Sequence, residues 1–148
     1  MKSRFKMTPL SELREMTVDE LRYAFNRESG VSRNHLDRAA FMQHKILEKW
    51  YTLCEEAAAL MHDEKARLER VMAKADLRCR LNYPDLKEGA VKSKVTLHKS
   101  VQLAKKEVRN ATHRWMVCKG FVESCRHRKS MIRDLEQLYV AKYWDKAQ

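Results

Sequence analysis

The chain has 148 residues, of which 31 are Lys or Arg, 20 are Asp or Glu, three are Gly and two are Pro. Because Gly and Pro punctuate strands and tight turns, their scarcity argues against sheet folds and glycine-rich phosphate loops, and the remaining composition favours an all-α protein with long helices. The formal net charge is +11, and residues 77–133 alone carry 15 basic and 4 acidic side chains. An excess confined to one segment predicts a polyanionic partner.

The first predicted element is a small helical extension within residues 1–35, which precedes a main helical domain at residues 36–148. Thr17-Val18-Asp19-Glu20 has the pattern of a capping box, in which the first and last side chains each bond the other's backbone N–H at a helix start. Gly30 suits a left-handed helix C-cap. No apolar run follows the basic N-terminus, and none reaches membrane-spanning length, so we expect a cytoplasmic protein without a membrane partner.

Two long helices are predicted next. From about Leu36 to Leu81 there is no Gly or Pro, and apolar residues recur at steps of three and four, so this segment predicts one helix with an apolar seam. A second, heptad-like seam runs from about residue 97 to 143, with Gly120 as a place for a kink or a turn. Because two such helices bury little core, we expect the chain to self-associate.

The segment between the long helices is predicted to be a basic loop at residues 82–89. Pro84 disfavours helix at the residue before it, and Gly89 loosens the backbone further. The small, basic residues 90–94 extend this non-helical segment, and the next helix is expected to begin near Thr96.

The best candidate for binding chemistry lies where this loop begins. Arg78 and Arg80 are two residues apart at the end of the first long helix, so both can face one stretch of phosphates, and Tyr83 follows where it can stack on an unpaired base. The basic path continues downstream at Lys87, Lys92, Lys94 and Lys99. The alternative is structural: the two arginines stabilise a helix C-terminus, and Tyr83 packs the loop onto the helix.

The sequence contains no recognisable catalytic or metal-binding motif. The six His are scattered, and none of the four Cys belongs to a Cys-x-x-Cys sequence. Cys118 and Cys125 lie seven residues apart with His127 nearby, but zinc sites have more compact ligand spacing, and reduced thiols inside the seam are the better interpretation. We therefore predict a protein that is not an enzyme, with no catalytic residue, cofactor or metal.

A family resemblance is carried by several short motifs in a common order. Leu77-Arg78-Cys79-Arg80-Leu81-Asn82-Tyr83 resembles the Leu-basic-x-Arg-Leu-Asp/Asn-Tyr stretch of the UvsY-like phage recombination mediators. Lys49-Trp50 upstream resembles a Lys-Trp pair in their long helix, and Trp115 and Cys118-Lys119-Gly120 downstream resemble a Trp and a Cys-x-Gly in their C-terminal half. The resemblance covers about residues 40–140.

The resemblance implies a small helical protein that assembles into a ring of about six or seven protomers. It implies binding to single-stranded DNA through Arg78 and Arg80, loosening of the single-strand-binding protein, and loading of a recombinase onto the strand. A phage-encoded protein of this kind acts in the host cytoplasm. The seam after Gly120 is then expected to join the protomers, through Phe121, Cys125, Ile132, Leu135, Tyr139 and Tyr143.

Two other interpretations fit the same charge distribution. The chain can be a non-enzymatic helical scaffold, adaptor or chaperone whose basic segment binds an acidic protein, or it can bind duplex DNA or RNA instead of single strands. Binding to single-stranded DNA over a salt series separates the first interpretation from a DNA-binding role, and competition between nucleic acids separates the second.

Overall fold

The computed structural model describes residues 7–30 and 36–145, with side chains described as far as residue 141. Within these residues every regular element is an α-helix, which confirms the all-α prediction. In chain order the helices are α1 (Leu10–Glu15), α2 (Val18–Ser29), α3 (Leu36–Asn82), α4 (Glu88–Leu97) and α5 (Lys99–Asp145). Helices α3 and α5 contain 47 residues each and correspond to the two predicted long helices.

The start of α2 is a capping box, as the sequence pattern predicts. The Thr17 backbone N–H donates to Glu20 Oε2 at 2.7 Å, and the Glu20 backbone N–H donates to Thr17 Oγ1 at 3.4 Å. The predicted left-handed C-cap is wrong, because Gly30 has φ −56° and ψ 135°. The carbonyl of Ser29 instead accepts a hydrogen bond from Arg128 Nε at 2.8 Å, so a side chain satisfies this helix end in place of a glycine turn.

Helix α4 occupies residues that the sequence predicts to be non-helical. The prediction of a loop that extends to a helix start near Thr96 is therefore wrong. The helix already includes Gly89 in its first turn. Val91 and Val95, one helical turn apart, are buried in a cluster with Ala75, Cys79 and Val101. Burial of this pair outweighs the cost of a glycine in a helix, which is about 1 kcal/mol.

The junction between α4 and α5 is a single residue. His98 has φ −61° and ψ 132°, an extended conformation that ends α4 and lets α5 begin at Lys99. From there α5 runs through Gly120 without interruption, and Gly120 does not have a positive φ. The sequence pattern allowed a kink or turn at that glycine, and the helix contains no turn there.

Contacts divide the chain into two compact units. Unit 1 consists of the residues up to Glu55 and those from Val117 onward, and unit 2 is Glu56–Met116. The core of unit 1 is aromatic: the Phe25 ring stacks on Phe121 with centroids 4.5 Å apart, and Trp50 lies edge-on to both at 5.3 and 5.1 Å. The helical part of the predicted extension therefore packs into the same core as α3 and α5.

Unit 1 also buries charged side chains together with polar partners. Glu28 is 1% exposed, and its carboxylate accepts a hydrogen bond from the Thr8 backbone N–H at 2.7 Å and pairs with Lys49. Arg128 is 6% exposed and donates to Gln43 Oε1 as well as to the end of α2. Desolvation lowers the pKa of both Lys49 and Arg128. The cost of burying these cations is offset only while their partners remain in place.

Candidate nucleic-acid interface

A groove in unit 2 brings together three of the predicted DNA-binding residues. It lies between the C-terminal ends of α3 and α4 and has a volume of about 530 Å³. Its apolar lining comes from Ala75, Cys79, Val95 and Leu97. Its polar lining comes from Arg78, Asn82, Tyr83, Lys94 and His98. Two cations, an aromatic ring, an imidazole and a carboxamide thus line one space, which is the mixture that recognises phosphate and base together.

Tyr83 and Lys94 are in direct contact inside this groove. The Tyr83 backbone N–H donates to the Cys79 carbonyl at 2.9 Å, which fixes the tyrosine at the end of α3. The Lys94 ammonium lies 3.6 Å from the centroid of the tyrosine ring, a cation–π contact. Because 49% of Tyr83 remains exposed, the ring can still stack on a base while the cation is held beside it.

The two arginines of the motif have different surroundings. Arg80 Nε lies 2.8 Å from Asp76 Oδ2, and Arg80 Nη2 lies 2.9 Å from Glu88 Oε2. These two carboxylates raise the pKa of Arg80, so the guanidinium stays charged while they compensate part of that charge, and they tie the end of α3 to the start of α4. Arg78 is exposed, and it has no ion pair in the part of the chain that the structure describes. The uncompensated charge of the motif is therefore on Arg78.

His98 and Asn82 also line the groove, and neither is among the predicted DNA-binding residues. The Ser100 backbone N–H donates to His98 Nδ1 at 3.3 Å, so a neutral ring carries its proton on Nε2 and can donate from there. Asn82 is the last residue of α3 and directly precedes Tyr83. In the sequence, an Asn and a His flank the basic segment, but only the pairing of α3 with α4 places these two residues together.

The other predicted DNA-binding lysines lie outside the groove lining. Lys87, Lys92 and Lys99 are all exposed. The Lys92 ammonium lies 3.9 Å from Glu88 Oε1, but the two side chains are 75% and 57% exposed, so water screens this pair. Direct contacts between these three residues and DNA remain a prediction.

The predicted association residues fall into two groups. Phe121, Cys125 and Ile132 are 9%, 0% and 3% exposed, because they pack inside the core of unit 1. Leu135 is half-buried and Tyr139 is 69% exposed, and the Tyr143 side chain lies outside the described residues. Association through this seam remains a prediction, and its exposed part is the portion that a second chain can reach.

The four cysteines are core side chains of the long helices. None of the four forms a disulfide bond, and all four are buried. Among the residues whose positions are described, no group of three or more His, Cys, Asp or Glu side chains is placed to hold a metal ion. In the same residues, no helix is both long and apolar enough to cross a membrane.

Comparison with protein-family models, with curated proteins and with solved structures finds no match to this chain. The functional assignment therefore depends on the groove and on the motif order in the sequence.

Proposed function

We propose that the chain is a single-stranded DNA-binding protein that acts as a recombination mediator, and that the unit 2 groove holds the strand. The observation that carries this proposal is the convergence of Arg78, Tyr83 and Lys94 on one groove. The two cations supply phosphate contacts and the tyrosine supplies a stacking surface, which are the two components of a single-strand site without sequence preference.

The binding mechanism is multivalent. One protomer that neutralises a few phosphates binds weakly at cellular salt, because each such contact is lost to competing counterions as salt rises. Several grooves joined in one assembly make each further contact intramolecular, so the assembly holds a strand far more tightly than a single groove does. A strand held in this way is loosened from its single-strand-binding protein and presented to a recombinase.

The partners beyond DNA rest on the resemblance to UvsY-like mediators. The motif that carries most of that resemblance, Leu77–Tyr83, contributes Arg78 and Tyr83 to the groove. This coincidence between the motif and the groove supports a mediator role over that of a general basic scaffold. The recombinase and the single-strand-binding protein are accordingly the partners that we propose.

Self-association is supported by exposed apolar side chains near the end of α5. Leu138, Tyr139 and Val140 are 60%, 69% and 51% exposed. A second copy of the chain that covers them removes this apolar surface from water. We expect Leu138→Ser with Tyr139→Ser to give smaller species in light scattering, and an unchanged mass contradicts this surface.

The decisive experiment for the proposed function is binding to a labelled oligothymidine, followed by fluorescence anisotropy over a salt series. We expect the logarithm of the affinity to fall linearly with the logarithm of the salt concentration. The steepness of this line is the salt slope. For any substitution of the groove cations, the matched control is Lys65→Ala with Arg70→Ala, because it removes two exposed basic side chains that do not line the groove.

Two outcomes overturn the proposal: absence of binding to single strands, and preferential competition by another nucleic acid. Absence of binding to single strands at low salt removes DNA as the ligand. Capture of an acidic protein under those same conditions then favours the adaptor interpretation. Preferential competition by duplex DNA or by RNA assigns the groove to another nucleic acid.

A further inference from the structure

A second groove, in unit 1, contains the same kinds of side chain as the first. It lies between the N-terminal part of α3 and the C-terminal part of α5 and has a volume of about 330 Å³. Its polar lining comes from Gln43, His44, Lys129, Arg133 and Glu136. An arginine, a lysine, a histidine and a carboxamide over an apolar lining thus occur in both grooves.

The two cations of this groove have little compensating charge. Lys129 is exposed and forms no ion pair with any residue that the structure describes. Arg133 Nε lies 3.8 Å from Asp134 Oδ1, and the two side chains are 70% and 62% exposed, so water screens that pair and it contributes little. Glu136 supplies one carboxylate to the lining against these two cations, which leaves the groove positively charged.

An exposed aromatic ring on α3 lies next to His44, a residue of the groove lining, and is not itself part of that lining. Phe41 is 71% exposed and lies one helical turn before His44, so the two side chains are neighbours on the surface of α3. The Lys45 ammonium lies 5.4 Å from the centroid of the phenylalanine ring. A phenylalanine ring has no polar atom. When a flat partner covers a ring exposed to this degree, apolar surface is removed from water and the free energy falls.

We propose that the unit 1 groove is a second binding site for single-stranded DNA, in which Lys129 and Arg133 hold phosphates and Phe41 stacks on a base. This inference rests on the proposed function, since the ligand is the same strand. The joint presence of uncompensated cations and an exposed ring favours a nucleotide segment over an acidic peptide, which requires the cations alone. Each protomer then has two contacts with the strand, one in each unit, and both contribute to avidity.

The test uses the full chain and a long labelled oligothymidine. Lys129→Ala with Arg133→Ala removes two exposed side chains, so the fold is retained. We expect the salt slope to fall by about 1.4, because each phosphate contact with a single strand contributes about 0.7. Lys65→Ala with Arg70→Ala, which removes the same charge elsewhere, is the control and should leave the slope nearly unchanged.

A second variant tests the ring independently of charge. Phe41→Leu keeps an apolar side chain but removes the stacking face. We expect binding to weaken about fivefold or more with the salt slope unchanged, since a stacked base contributes without releasing counterions. Tyr23→Leu is the matched control, because Tyr23 is 72% exposed, close to the 71% of Phe41, and lies on α2, which contributes no residue to the groove lining.

The outcomes separate the two proposals. If wild-type protein binds single strands and Arg78→Ala weakens that binding, but the Lys129/Arg133 and Phe41 variants behave as their controls do, the second site is overturned and the proposed function stands. If wild-type protein binds no single strands, both are overturned. If the Lys129/Arg133 variant loses polyglutamate binding to the same extent and Phe41→Leu has no effect, the groove binds polyanions in general and the second site is again overturned.

Discussion

The Lys94 ammonium lies 3.6 Å from the centroid of the Tyr83 ring, so a cation from α4 is held against the aromatic side chain that follows α3. This contact places the charge that attracts a phosphate next to the surface that stacks on a base. A strand that enters the unit 2 groove therefore meets both components at the same point.

The first prediction concerns the Tyr83 ring itself. Tyr83→Leu should weaken binding to oligothymidine by about 1–3 kcal/mol for each base that the ring stacks on, with the salt slope unchanged. Anisotropy titrations at several salt concentrations give both quantities. Tyr51→Leu is the matched control, since Tyr51 and Tyr83 are exposed to nearly the same extent, 48% and 49%. An equal loss in both variants would contradict a specific role for Tyr83.

The second prediction separates the two arginines of the motif. Arg78→Ala should lower the salt slope by about 0.7, the contribution of one phosphate contact with a single strand. Arg80→Ala should lower it less, because Asp76 and Glu88 already compensate part of the charge of that guanidinium. The measurement is the same salt series. A larger loss of slope for Arg80→Ala than for Arg78→Ala would assign the phosphate contact to Arg80 instead.

The third prediction concerns the aromatic core of unit 1. Phe25→Ala should destabilise the protein by about 3–5 kcal/mol, because it removes the ring that contacts both Phe121 and Trp50. Tyr23→Ala, on the same helix, should change the free energy of unfolding by no more than about 0.5 kcal/mol, since Tyr23 is 72% exposed. Urea denaturation followed by tryptophan fluorescence compares the two variants. Similar effects at both positions would mean that α2 is not anchored through Phe25.

The fourth prediction is a pH dependence that arises from a buried thiol. Burial raises the pKa of Cys125 above its usual value of 9.0, so the folded chain keeps this proton at a pH where the unfolded chain has lost it. The stabilising contribution is complete below pH 9.0 and is lost as the pH rises through the pKa of the folded state.

Unfolding by urea below and above pH 9.0 measures this effect. Wild-type stability should fall relative to Cys125→Ala as the pH rises, because only the wild-type protein has the buried thiol. Parallel pH profiles for the two proteins would rule out this role for the thiol.

Features that depend on residues close together in the sequence could be predicted. The capping box at Thr17 depends on residues three apart, and the first long helix depends on the absence of Gly and Pro from residues 36–81. Both the capping box and the helix are present in the structure as predicted. Val91 and Val95 have helical spacing, but Gly89 and the nearby Pro84 are stronger local signals than a single apolar pair, so the sequence predicts a loop where the structure has α4.

What the sequence does not specify is which partner covers an apolar seam. Phe121, Cys125 and Ile132 show the same periodicity whether a second chain or the chain's own helices bury them, and in the structure their own unit does so. The placement of Arg78 with Lys94 in one groove, and of His44 with Lys129 in the other, likewise depends on which helices pair. Spacing within one helix contains no information on that pairing.

Gly120 lies inside α5, where a Cβ would meet no described neighbour within 4 Å. A glycine in a helix interior costs about 1 kcal/mol relative to alanine, and packing within the chain does not require it at this position. Helix α5 is therefore weaker than its surroundings permit. Gly120→Ala should provide a more stable form of the protein, in which weakening substitutions in either groove can be studied without loss of the fold.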